Sequence, residues 1–362
     1  MSEPIRILHQ VAGIGSGGFE PLLINLHRNI DTSRVQFDYI LSHDWGVYGY
    51  QNEMKALGGR IYQLPEGGLR QFVAFYRFLK AHPEYKIVHT HRGAFGSFYL
   101  LVAMMAGIKH RVCHSHYSSR SEKLTDILTR MLRPLVRWTS TKNYACGEGA
   151  GNYLYGAGNY EVLKNSLDLN KFKYPGCRLE KRQSLGYADS NIVYGHVGHF
   201  NEQKNSLFLI DVFHEIHKKQ EDARFLMIGD GELYEKCVTK IHEYGMRDVV
   251  TILSHRTDVN ELLQAMDMIV FPSRYEGFSV AMIEMQAASL RILTSDAVSP
   301  DINITGEVYF KNLNDGVESW ADEAIKLSKY SRENIDVNIL REKGFDIHAE
   351  AEKLRKYYLS LN

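Results

Sequence analysis

Short runs of β-branched and apolar residues alternate with helix-like stretches from one end of the chain to the other, in two successive series. The first series has runs at Ile5–Val11, Gln36–Leu41, Arg60–Leu64, Lys86–Thr90 and Arg111–His116. The second has them at Ile192–Val197, Arg224–Ile228, Val249–Ile252, Met268–Phe271 and Arg291–Thr294. Helical periodicity fills the gaps, for example over Gln71–Lys80 and Gly96–Ala106. Strand, helix, strand is the βαβ unit, and its repetition builds a parallel sheet with helices on both faces. At ~150 residues per domain, the 362 residues predict two doubly wound α/β domains with a cleft between them. Residues 1–170 form the first, the polar, turn-rich stretch 171–190 a linker, and 191–345 the second. A last helical pattern over 346–362 can cross back to the first domain.

Composition narrows the function classes. The longest apolar run, Phe98 to Ile108, has eleven residues, well short of the ~20 that a membrane span needs. Glu3 stands where a secretion signal wants basic residues, and the start reads as a strand. Cys113, Cys146, Cys177 and Cys237 are widely spread without CxxC spacing, which predicts reduced thiols and a cytoplasmic protein. Net charge is zero but uneven. Residues 1–180 hold 22 Lys and Arg against 14 Asp and Glu, and residues 181–362 hold 21 against 29. The basic half can face a phosphate or an anionic membrane, while the acidic half argues against nucleic acid.

Two loops have the chemistry of a phosphate cradle. After the first strand come Gly13, Gly15, Gly17 and Gly18, then a helix opening near Glu20. Glycines allow close backbone approach, and a helix N-terminus offers free N–H groups. The spacing also fits a dinucleotide fingerprint, which wants an acidic residue at the end of the second strand. Asp38 lies inside that strand and Asp44 beyond it, so the fit is poor. In the second series, the strand Ile192–Val197 is followed by Gly198, His199 and Lys204, with Lys204 opening a helix. A lysine there suits a diphosphate, although an exposed surface lysine would read the same way. The Gly229–Glu232 turn after the next strand reads as structural.

Glu276 and Glu284, eight residues apart, are the most informative pair. Glu276 falls in the loop after a strand. Glu284 is about two turns further on a helix whose first turn is expected at Gly277 to Val280. A carboxylate amid Met282, Ile283, Met285 and Gln286 needs a hydrogen-bond donor, and a sugar diol supplies two. The plainer alternative is a capping Glu276 and an exposed Glu284.

This segment resembles the Glu-x7-Glu motif of glycosyltransferase family 4, the retaining transferases of GT-B fold. The likeness extends in order through GGFE, IVHTH, ACGEGAGNYLYG, LKNSLDLNKF, GHFNEQKN, IGDGE and HRTDVNELLQAMDMIVFPSRYEGFSVAMIEMQA, from about residue 5 to 361. It is greatest with bacterial enzymes of exopolysaccharide or capsule assembly. The resemblance implies two Rossmann-like domains, the first on the acceptor side and the second holding the nucleotide-sugar. It implies a hexosyltransferase that moves a sugar from a nucleotide-diphosphate donor, expected to be a UDP-sugar, to a polyprenyl-diphosphate-linked oligosaccharide. Glu284 would hold the donor ribose and Glu276 the hydroxyls of the transferred sugar. Gly277, Phe278, Ser279 and Val280 would contact sugar or phosphate, and Lys204 would neutralise the diphosphate with Gly17 and Gly18 opposite. His116 matches a histidine near the donor sugar, and base contacts fall near His255 and Arg256. The catalytic set is then His116, Lys204 and Glu276, with no side-chain nucleophile. Two departures stand out. Ser166 replaces a glycine after Asn165, and His199 replaces the usual arginine, exchanging a fixed charge for one that titrates.

No cofactor and no metal are expected. His89 with His91 and His114 with His116 end neighbouring strands, but no carboxylate or cysteine accompanies them, and cleft-lining or core histidines are the expected role. Residues 120–142 carry six basic and two acidic side chains, with Leu124, Ile127, Leu128, Met131, Leu132, Leu135 and Trp138 at helical spacing. This is an amphipathic helix packed on its own domain, or one whose basic face meets anionic lipid at the inner face of the membrane. Two rival readings remain: an NAD-dependent oxidoreductase built on Gly13–Gly18, and a non-catalytic sugar-nucleotide-binding partner of another transferase.

Overall fold

The computed structural model describes residues 3–14, 20–43, 49–116, 123–254, 256–276 and 278–361. The chain divides into two compact units, Met1–Leu167 with Gly344–Asn362, and Asp168–Lys343. Unit 1 runs β1 (Ile5–Val11), α1 (Glu20–Asn29), β2 (Val35–Leu41), α2 (Gly49–Ala56), β3 (Ile61–Gln63), α3 (Gly68–Ala81), β4 (Ile87–Thr90), α4 (Gly96–Met105), β5 (His110–Ser115), α5 (Lys123–Thr139), β6 (Lys142–Ala145), α6 (Glu148–Tyr155) and β7 (Glu161–Val162). Unit 2 runs α7 (Arg178–Ser184), β8 (Ile192–Val197), α8 (Ser206–Lys219), β9 (Ala223–Ile228), α9 (Tyr234–Glu243), β10 (Val250–Leu253), α10 (Val259–Ala265), β11 (Met268–Phe271), α11 (Val280–Ala287), β12 (Arg291–Ser295), β13 (Val308–Lys311), α12 (Val317–Ser328) and α13 (Asn338–Glu342). The chain then returns to unit 1 with α14 (Ile347–Leu359).

Both sheets are parallel and doubly wound, as the alternating pattern predicts. Unit 1 has the order β3-β2-β1-β4-β5-β6-β7 and unit 2 the order β10-β9-β8-β11-β12-β13. Strand order therefore reverses between β1 and β4, and between β8 and β11. Alternation along the central strands supplies two cores in unit 1. Ile7, Phe37 and Tyr39 face α1 and α14, while Leu8, Ile40 and Val88 face α3 and α4. In unit 2, Phe213 of α8 stacks on Phe225 of β9 at 4.2 Å, and Trp320 of α12 is fully buried in the same core.

The stretch read as a linker is folded onto unit 2. Arg178 and Arg182 of α7 both reach the Asp267 carboxylate, at 2.6 and 2.5 Å, and Asp267 also accepts the Val193 N–H at 2.7 Å. One half-buried carboxylate thus fastens the polar segment to the first strand of the second sheet. Where the chain leaves and re-enters unit 1, the Leu167 N–H donates to the Phe345 carbonyl and the Leu167 carbonyl accepts the Ile347 N–H, both at 2.9 Å, in a parallel bridge to Asp346. The returning helix begins at an Asp346 cap that accepts the His348 N–H at 3.0 Å. All four cysteines are free, Cys113 and Cys237 buried and Cys146 and Cys177 half-buried.

Candidate active site

Ligands of doubly wound sheets sit at the carboxyl ends of strands, where the order reverses. In unit 2 that place is the pair of loops after β8 and β11. Lys204 lies two residues before α8 rather than opening it, because Asn205 takes a left-handed conformation (φ 57°) that turns the chain into the helix. Asn tolerates this better than other residues with a Cβ. The Lys204 N–H donates to Asn201 Oδ1 at 2.8 Å. Its ammonium lies 4.5 Å from the centre of the Phe271 ring and pairs with the Glu276 carboxylate, both side chains being about six-sevenths buried.

Neighbouring polar groups hold Glu276 in place. The Ser295 hydroxyl donates to the Ser273 carbonyl, Thr294 Oγ1 donates to the Phe271 carbonyl at 2.8 Å, and Glu276 itself bridges to Val298. The two loops are also stitched together. The Arg274 N–H donates to the Gln203 carbonyl at 2.8 Å, and the Gln203 amide donates to the Tyr275 carbonyl at 3.2 Å. Helix α11 starts at Val280, with an extended Ser279 at its N-cap. This corrects the expectation that the first turn spans Gly277 to Val280: Glu276 sits in a parallel bridge with Val298 and Ser279 is still extended. Phe278 is exposed and Ser279 buried. The first-turn N–H groups of α11 lack partners within the helix. One turn into it, burial alone pushes the Glu284 carboxyl up to about 7.

His199 is mostly exposed, its Nδ1 3.3 Å from both the carbonyl and a carboxylate oxygen of Asp230. Gly229 (φ 147°) explains that proximity: an added Cβ would lie 2.0 Å from the Gly198 carbonyl. The Gly229–Glu232 turn therefore packs directly on the phosphate-type loop, and Phe200 accepts the Leu233 N–H while donating its own to Asp230. His196 lies beneath, its Nδ1 3.2 Å from the Val270 carbonyl, and burial pushes it down to about 4. Arg256 forks onto Asp258 at 2.7 and 2.6 Å on the surface. Gly17, Gly18, His255 and Gly277 lie outside the described residues, as does Asp44.

His116 belongs to unit 1, where it directly follows β5 beside His91, with Nε2 3.0 Å from His91 Nδ1. Burial pushes His89 and His116 down to about 3 and lowers His9, His91 and His114 as well. The sequence reading missed His9, which a lone histidine in an apolar strand does not announce. Asp38, which the sequence offers as a poor fit to a dinucleotide fingerprint, lies inside β2. The structure commits that carboxylate to Arg6 at 2.5 and 2.6 Å, the Tyr85 hydroxyl at 2.8 Å and the Arg60 N–H at 2.7 Å, which weighs against a dinucleotide there.

Residues 191–329 match the family described as Glycosyl transferases group 1. EpsF of Bacillus subtilis (strain 168), a glycosyltransferase by assignment, is 30% identical, with 98% of this chain and 96% of EpsF covered. A galactosyltransferase of Escherichia coli, named UDP-Gal:alpha-D-GlcNAc-diphosphoundecaprenol alpha-1,3-galactosyltransferase, is 24% identical over 81% of this chain and 80% of its own. Among solved structures, Anabaena HepE in complex with UDP and glucose superposes with a TM-score of 0.75 at 17% identity, covering 98% of this chain and all of HepE. Two parallel Rossmann-like domains with these neighbours define the GT-B fold. The chain belongs to the group 1 glycosyltransferases.

Proposed function

We propose that this protein is a retaining hexosyltransferase of glycosyltransferase family 4. In this reading it moves a sugar from a UDP-sugar to a polyprenyl-diphosphate-linked oligosaccharide in exopolysaccharide or capsule synthesis. The observation that carries the reading is the Lys204–Glu276 pair between the β8 and β11 loops, with Glu276 eight residues before the desolvated Glu284 carboxyl. The names of the relatives support the donor and acceptor classes.

The chemistry follows from these positions. As the bond between the sugar's anomeric carbon and the diphosphate oxygen breaks, negative charge grows on the leaving diphosphate. Lys204 and the N–H groups at the start of α11 stabilise it where it develops. Glu276 takes the hydroxyls of the sugar, and Glu284 accepts from both ribose hydroxyls. The acceptor oxygen attacks from the face that the diphosphate leaves and passes its hydroxyl proton to the departing diphosphate oxygen, so configuration is kept. Gly17, Gly18, His116, His199, His255, Arg256, Gly277, Phe278, Ser279 and Val280 complete the proposed set, and no metal enters these steps.

Thermal unfolding with UDP, GDP or NAD tests the donor. A nucleotide at ~100 times its Kd adds about 2.7 kcal/mol, a rise of ~2–4 °C. UDP alone is expected to give it. A rise only with NAD would overturn the transferase reading, and GDP alone would redirect the donor.

Membrane contact is the second part of the proposal. No helix among the described residues is long and apolar enough to cross a membrane. Yet α5 exposes Ile127, Leu128, Met131 and Trp138 beside Arg130 and Arg137, while Val136 and Thr139 on its inner side are fully buried. Arg133 and Arg137 donate to the Tyr153 and Tyr155 carbonyls at the end of α6, which fixes the basic row to the unit. Apolar tips within a basic row suit the boundary of an anionic bilayer. Vesicles containing phosphatidylglycerol are expected to sediment the protein at low salt and release it at high salt. Met131→Ser with Trp138→Ala should weaken sedimentation at least tenfold, at ~0.8 kcal/mol per buried methylene. Equal binding to neutral vesicles would remove the electrostatic part.

A further inference from the structure

The register of unit 1 gathers five imidazoles on one face of its sheet, at the carboxyl ends of its strands. His9 on β1 pairs directly with His89 on β4, and Thr90 with Cys113 on β5. Strand alternation then places His91 beyond His89 and, beside it, His114 and His116. Rings pack at 4.5 Å for His89 with His91, 4.1 Å for His114 with His116, and 5.3 Å for His9 with His91. His9, His89, His91 and His114 are all at least 96% buried. His9 Nε2, His89 Nε2 and both ring nitrogens of His114 have no hydrogen-bond partner among the described residues.

Buried ring nitrogens left unpaired cost ~1–3 kcal/mol each, so a fold that gathers them has to satisfy them otherwise. A neutral imidazole presents a lone pair, and converging lone pairs select a cation that accepts them rather than an anion. We propose that His9, His89 and His91 bind one divalent transition-metal ion, Zn2+ by ligand type. Each can offer a nitrogen such that the three lie within 4.8 Å of one another, and a 3.0 Å hydrogen bond between His9 Nδ1 and His91 Nε2, whose proton the ion would replace, already brings two of them together. Metal–nitrogen bonds of ~2.0–2.1 Å in tetrahedral geometry need that kind of separation. All-imidazole ligation excludes the hard cations Mg2+ and Ca2+. The absence of a carboxylate, which argued against a metal from sequence, is no obstacle, since three histidines and a solvent oxygen suffice.

The groups around the triad fit ligand duty. His89 turns Nδ1 to the Tyr358 hydroxyl at 2.6 Å, and His91 turns Nδ1 to His116 Nε2 at 3.0 Å. Ligating histidines characteristically fix their second nitrogen in this way. His91, His114 and His116 form an overlapping triad. The first is assigned because Tyr358 orients its His89 from α14. The ion would tie β1 and β4 to the returning helix, independently of donor chemistry, so the test uses no nucleotide.

Tag-free protein is stripped with dipicolinate, then titrated with Zn2+ and, separately, Co2+. One equivalent is expected to bind, with the visible bands of tetrahedral Co2+ and a Tm rise of ~2–4 °C at ~100 times Kd. His89→Asn should abolish uptake. Tyr358→Phe keeps all three ligands and should lower affinity ~10–100-fold, which preserves the test if H89N does not fold. Wild-type protein that leaves Zn2+ in solution overturns the assignment. Unchanged affinity in Tyr358→Phe overturns it equally.

Discussion

Lys204→Met is expected to lower turnover by ~10²–10³-fold, the cost of removing one preorganised donor from a developing oxyanion. Methionine keeps the stem over Phe271 and deletes only the charge, which now sits 4.5 Å above that ring and against Glu276. The loss should fall on kcat more than on KM, because charge on the leaving diphosphate grows toward the transition state. A second effect has a separate cause. Glu276 is 15% exposed and would be left without its ion-pair partner, so the variant should also unfold at lower temperature. Glu276→Gln in the same background should recover much of that Tm without recovering turnover. The measurement is UDP released per second from the sugar nucleotide that the thermal screen selects. A K204M protein within tenfold of wild type would remove Lys204 from the leaving-group role.

Much of this arrangement is legible in the sequence because parallel sheets buried on both faces read as plain apolar runs. β1, β8 and β11 begin and end where the Ile and Val runs do. β6, β7 and β13 were not expected. KNYA is short and polar, EV has two residues, and VYFK lies on an edge where one neighbour suffices. Two residues are too few for any pattern, and β6 and β13 lack the unbroken apolar run that marks β11 at the same length of four. The site splits the same way. The spacing of Glu276 and Glu284 was visible, but not the Lys204–Glu276 pair, which joins residues 72 apart through loops with no repeating pattern. The polar 171–190 segment read as a linker because composition does not reveal that Asp267, nearly ninety residues on, binds its two arginines. The five histidines share a face only once the strand register is known, and the sequence offers them as two separate pairs and an isolated residue.

Glu284→Gln is expected to do two things of opposite sign. Burial raises the Glu284 carboxyl from an ordinary value of 4.5 to about 7. The folded protein therefore keeps a proton that the unfolded chain gives up, and stability contributed at this position is present below pH 4.5 and lost as pH rises to about 7 and beyond. At about 1.36 kcal/mol per pKa unit, the variant, which cannot ionise, should gain up to ~3 kcal/mol over wild type at pH 8 and nothing at pH 4. Donor binding should move the other way. A ribose diol presents two hydroxyl donors, which favour the ionised, acceptor-only carboxylate. Binding then lowers the pKa, releases a proton near neutral pH, and strengthens up to about tenfold per pH unit as pH rises toward 7. The amide offers one acceptor and no charge, and hydrogen bonds to charged groups contribute ~1.5–3 kcal/mol each, so E284Q should bind UDP at least ~10-fold more weakly. Calorimetry at pH 6.5 in two buffers of different ionisation enthalpy reads the proton, and thermal unfolding at pH 4 and 8 reads the stability. A variant that is both more stable at pH 8 and poorer at binding cannot be explained by misfolding. UDP affinity equal to wild type, with no proton released by either protein, would take the ribose away from Glu284 and leave its burial to packing alone.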